Sequence, residues 1–114
     1  MMPHMHARGK DMTYKLTFPD GRNEIALRVP NYNFEWQIGY DVASPVALPK
    51  GTRIRVDATF DNSAARRGNP DPTADVFGGT QTWEEMMNPW FGIIIDRRIE
   101  PGAAILTRAA QGGG

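Results

Sequence analysis

The chain contains two histidines, His4 and His6, and no cysteine. In an extended strand, side chains at i and i+2 share a face, with Cα atoms roughly 6.5–7 Å apart. Two imidazoles at that spacing can converge on one metal ion, while Met5 between them faces the other way. Imidazole suits copper, zinc, iron and nickel alike, so the pair alone does not name the ion. A His-x-His near a terminus also arises by chance or as a cloning residue, and spacing alone leaves both readings open. The absence of cysteine excludes a disulfide framework, thiolate metal sites and a thiol nucleophile. With both histidines in one segment, no Ser/His/Asp set is at hand, and no glycine-rich phosphate loop occurs.

The elements that must position this pair read as strands. Met12 to Phe18 alternates, Pro19-Asp20-Gly21 follows as a turn signal, and Glu24 to Val29 returns, which predicts a hairpin. Asn33 to Tyr40 places Phe34, Trp36 and Ile38 on one face and predicts a half-buried strand. Thr52 to Phe60 alternates again, with Ile54, Val56, Ala58 and Phe60 on one side. Between the strands, 41–51 and 62–79 carry prolines and glycines and predict loops, the second long enough to suggest a functional role. Strand character resumes over Thr82 to Ile95, where Pro89 and Gly92 point to an edge or a bulge.

No long helical period free of Gly or Pro is present. The 114 residues predict a single all-β domain, an antiparallel β-sandwich of jelly-roll type over 1–96. Residues 97–114, ending in three glycines, predict a partly flexible C-terminal extension. Thirteen basic residues balance thirteen acidic ones, so no net field favours nucleic acid. No apolar run approaches the length of a membrane span, and the start lacks the charged and apolar regions of a signal peptide.

Two strings then carry a resemblance. His4-Met5-His6-Ala7-Arg8-Gly9-Lys10 resembles the His-x-His-x-x-Gly-Lys segment of the copper type II, ascorbate-dependent monooxygenases, which include the peptidylglycine-hydroxylating and dopamine β-monooxygenases. Later in the same order, the run from Gly78-Gly79-Thr80 to Glu84-Glu85-Met86-Met87-Asn88 resembles the family's Gly-Gly-Thr stretch leading into Asp/Glu-Glu-Met-x-Asn. The resemblance implies that Met86 is the third ligand of an oxygen-binding copper, beside His4 and His6. Two neutral imidazoles and a soft thioether favour Cu(I), and a weak sulphur bond leaves a position open for dioxygen. It further implies hydroxylation of an organic C–H bond, with ascorbate or another reductant as electron donor. The free imidazole N–H groups need acceptors that the sequence leaves unidentified.

The same resemblance shapes the remaining expectations. Asn88 matches an asparagine that assists substrate binding in peptide-hydroxylating members. Trp90, one of several aromatics that could line a pocket or pack in a core, is the other candidate substrate contact. The arginine those members place two residues before the first histidine is Met2 here, which argues against a peptidylglycine substrate and leaves a small molecule or another peptide. Family members hold a second, histidine-rich copper on another domain; both histidines being used, this chain would need a partner domain or chain to supply it. The resemblance also implies a periplasmic or secreted protein, with this chain N-terminally truncated relative to the family. A non-catalytic copper-holding or protein-interaction β-sandwich is the alternative.

Overall fold

A computed structural model describes residues 1–100. Most of the expected C-terminal extension, 101–114, lies outside the described residues. Five strands follow in chain order: β1 (Met2–Met5), β2 (Gly9–Thr17), β3 (Asn23–Val29), β4 (Arg53–Phe60) and β5 (Met87–Trp90). They form two antiparallel sheets, one of β1 and β5 and one with the order β3-β2-β4. The fold is all-β, as the alternation predicts, and the described residues hold no helix. The five strands do not by themselves draw the eight-stranded connectivity of a jelly roll.

The β2–β3 hairpin forms where expected. Phe18 N–H donates to the Arg22 carbonyl, and Gly21 takes a φ of 88°, a left-handed conformation that glycine adopts without a Cβ penalty. On β2, Met12, Tyr14 and Leu16 face inward and are buried. Ile54, Val56, Ala58 and Phe60 all turn their half-buried side chains the same way on β4, in accord with their alternation. β3 departs from simple alternation. The register slips between Tyr14 and Lys15, so that Tyr14 opposes Leu27 but Lys15 opposes Ile25. A bulge at Ala26 moves one residue across the pleat. Ile25 is thereby turned outward and 59% exposed, while Ala26, Leu27 and Val29 pack on the core.

The core joins the two sheets. Met5 of β1 and Met87 of β5 pack with Met12 and Tyr14 of β2, and Tyr32 completes the cluster. The Tyr32 hydroxyl donates to the Met5 carbonyl at 2.6 Å and accepts the Met5 N–H at 3.0 Å. One side chain therefore stands where a neighbouring strand would, and this edge of the short β1 is closed. Because both Met5 backbone groups are engaged there, the Met5–Met87 pair is not bonded across the ladder. By the antiparallel alternation, neither is Pro3–Pro89, so two prolines face each other where no ladder N–H is required.

Two expected strands take other forms. The segment from Asn33 to Tyr40 is irregular. The Asn33 side chain accepts the Glu35 N–H at 3.0 Å and its carbonyl accepts the Trp36 N–H at 3.0 Å, a local turn that competes with extension. Trp36 is consequently 72% exposed rather than half-buried. The expected strand over 82–95 contracts to β5, because 77–85 closes a tight excursion just before it. There Glu85 N–H donates to the Phe77 carbonyl and Gly79 N–H to the Glu85 carbonyl.

Candidate metal centre

In an antiparallel pair, directly opposite residues project to the same face. The β1–β5 register sets Met2 against Trp90, His4 against Asn88 and Met5 against Met87. Met5 and Met87 take the core face. His4 and Asn88 accordingly share the other face with Met2 and Trp90. The ladder ends at Met5 and Met87, so His6 and Met86 lie just beyond it on the two chains, with the His6 carbonyl accepting the Gly9 N–H at 2.9 Å. Trp90 is 58% exposed at its outer end, and its carbonyl accepts the Tyr14 hydroxyl at 3.2 Å. His6 is buried, while His4, Met86 and Asn88 are half-buried.

The two imidazoles stand edge to face, with ring centroids 5.4 Å apart and planes at 88°. Rings bound to one ion through nitrogens at about 2 Å have centroids up to about 6 Å apart, so a single ion can span this pair. Each ring has one nitrogen engaged. His4 Nδ1 lies 2.7 Å from Gln37 Oε1, and His6 Nδ1 lies 3.0 Å from the Glu84 carbonyl. A backbone carbonyl can only accept, so His6 Nδ1 carries the proton. The Gln37 amide is oriented by its own nitrogen, which donates to the Phe34 carbonyl at 2.8 Å, so His4 Nδ1 also meets an acceptor. In neutral rings both Nε2 atoms then bear free lone pairs, the tautomer a metal requires.

The elements behind these acceptors are those whose form sequence reasoning missed. The turn at Asn33 makes 34–37 a strap across both rings. Phe34 meets His6 edge-on at a centroid distance of 6.1 Å, and Gln37 holds His4. Glu84 is presented by a turn in which its N–H donates to the Gln81 carbonyl and its carboxylate accepts the Gln81 N–H, each at 2.9 Å. That carboxylate occupies the space a Cβ on Gly79 would take, so a side chain there would displace it from the Gln81 N–H. Gly9 has a similar basis, since a Cβ there would fall 2.6 Å from Met5 Cβ. The local signal for the turn was the glycine pair; no sequence signal pointed to Gln37.

Among the described residues, no group of three His, Cys, Asp or Glu side chains converges as a metal set. Two imidazoles with Met86 as the expected third donor would form a soft, neutral set that fits Cu(I) better than a hard, oxygen-seeking cation. Beyond Trp90, a shallow depression of about 210 Å³ opens between Met2, Tyr40, Trp90 and Phe91. No described helix is long and apolar enough to cross a membrane. Comparison with protein-family models, curated proteins and solved structures finds no match.

Proposed function

We propose that the outer face of the β1–β5 ladder holds one copper ion through Nε2 of His4, Nε2 of His6 and the Met86 sulphur. In this reading the domain is the oxygen-activating part of a monooxygenase that hydroxylates an organic C–H bond. The observation that supports it is the pairing of both Nδ1 atoms with acceptors, which leaves Nε2 of each neutral ring unprotonated on imidazoles whose centroids are 5.4 Å apart. The five strands are read with it as part of a jelly-roll sandwich.

When bound, the copper would supply one-electron reduction of dioxygen, with electrons drawn from ascorbate or a protein donor through a second copper on another domain or chain. The protein's own residues do the rest. Gln37 and the Glu84 carbonyl fix the ring tautomers and orientations, and Phe34 shields His6 from water. Asn88, across from His4, offers an amide to a polar substrate group, and Trp90 offers an aromatic surface one rung further out. The substrate is a small molecule or a peptide.

A second reading, a copper-holding or interaction module without turnover, is favoured by one observation. The chain's only two histidines are both on this face, so it has none for a histidine-rich electron-transfer copper. Oxygen consumption by the copper-loaded protein, with reductant, substrate and any partner domain supplied, separates the two. Turnover above the free-copper background supports the enzyme; none leaves the module.

A further inference from the structure

Arg8 is 2% exposed, yet its guanidinium meets only neutral acceptors. Nε donates to Asn62 Oδ1 at 2.7 Å, Nη2 to the Asp71 carbonyl at 3.1 Å and Nη1 to the Trp83 carbonyl. A buried cation is ordinarily retained beside a carboxylate. The Asp71 carboxylate is turned to Thr73, whose hydroxyl and N–H it accepts at 2.7 and 2.8 Å, and it acts on Arg8 through its charge without a hydrogen bond. The planar fork of arginine is thus used for geometry, to join the Asn62 side chain and the Asp71 and Trp83 carbonyls at one point.

What it joins is the support of His6. Three successive carbonyls of the 82–84 turn are taken by three successive residues after β1. Thr82 accepts the Ala7 N–H at 3.3 Å, Trp83 accepts Arg8 Nη1, and Glu84 accepts His6 Nδ1–H at 3.0 Å. The Ala7 contact is the one backbone-to-backbone bond of the three and, at 3.3 Å, would hold the turn poorly alone. Arg8 grips the peptide immediately before the Glu84 carbonyl and anchors it to Asn62 and Asp71 of the long loop. His4 has no share in this arrangement, because its acceptor comes from the strap at 34–37.

We propose that Arg8 is a positioning residue that sets the His6 tautomer. By holding the 82–84 turn, it keeps the Glu84 carbonyl on Nδ1 and Nε2 free for a ligand, and it ties this to the order of the 62–79 loop. The inference rests on the copper reading for its functional meaning, but its geometry and its primary test need no metal.

The test is nitrogen NMR of both imidazoles in the metal-free chain, with His4 as internal reference. Wild type is expected to show both rings in the Nδ1–H form. Arg8→Lys keeps the charge and stem but loses the three-way fork, and should move His6 toward Nε2–H while His4 stays unchanged. Asn62→Ala, which removes one anchor at the surface, should produce a smaller shift in the same direction and covers the case in which Arg8→Lys fails to fold. Cu(I) affinity should fall about 10- to 100-fold in Arg8→Lys. His6 unmoved in every folded variant would overturn the proposal, as would both rings changing together. A shifted His6 with no copper binding even in wild type would sustain the positioning role and overturn the copper reading instead.

Discussion

His6 Nδ1 and the carbonyl oxygen of Glu84 lie 3.0 Å apart although 78 residues separate them along the chain. His4 is served by a residue 33 positions away, Gln37, at 2.7 Å. The two rings therefore present the same free nitrogen for unrelated local reasons, and each can be disturbed without the other.

Replacing Gln37 with Leu removes the acceptor on His4 and leaves the strands intact. Cu(I) affinity should weaken about 10- to 100-fold, the range for loss of a hydrogen-bond partner behind a metal-bound imidazole. Competition against a chromogenic Cu(I) chelator measures it, with unchanged denaturant unfolding of the metal-free chain as control. Affinity equal to wild type would remove the role assigned to Gln37.

Met86→Ile keeps an apolar side chain of similar volume just before β5 but deletes the sulphur. Cu(I) binding should drop by about tenfold or more, with Zn(II) binding much less affected, since a thioether favours the softer ion. X-ray absorption of the copper-loaded protein should lose its sulphur scatterer. A sulphur signal that persists would point to a different methionine.

Tyr32→Phe strips the hydroxyl that both donates to and accepts from Met5. A buried backbone N–H and C=O are left without their partner, at about 1–3 kcal/mol for each unsatisfied group. The expected loss of about 2–4 kcal/mol is read from chemical denaturation. A loss under about 0.5 kcal/mol would mean that the edge of β1 is satisfied by other means.

Burial pushes the Tyr14 phenol up from 10.0 to about 12. The unfolded chain loses this proton first, so between those values it binds fewer protons than the folded one. Stability is therefore unaffected below pH 10, falls as pH rises from 10 to about 12, and then levels off. Tyr14→Phe should lessen that alkaline decline, leaving the part due to Tyr32, whose phenol burial also pushes up, while losing the hydrogen bond to the Trp90 carbonyl. Denaturation midpoints across pH 8–12 for both proteins, with the phenolate absorbance followed alongside, check it.

Much of the fold was legible where the chain alternates without interruption. The hairpin of β2 and β3 and the inward face of β4 follow from period-two patterning and the Pro19-Asp20-Gly21 turn. Misreadings fell where a single side chain competes with the ladder. Asn33 curls its segment, and the Glu84 carboxylate closes a turn that shortens β5. The candidate site shows the same division. The i, i+2 spacing put His4 and His6 on one face, and the register sets Asn88 across from His4. Gln37 and the Glu84 carbonyl were illegible, since one hydrogen bond between distant segments leaves no periodic trace.

The β1–β5 ladder also fixes an order of events. During synthesis His4 and His6 leave the ribosome long before the segment that carries Glu84 and β5. Until that segment docks, His6 lacks the Glu84 carbonyl. Closing a loop of 78 residues opposes that docking by on the order of 4 kcal/mol. An ion bound only by the closed form returns RT ln(1 + [L]/Kd) to the closure. Such an ion would thus act as a clasp, loaded late and holding β1 and β5 together.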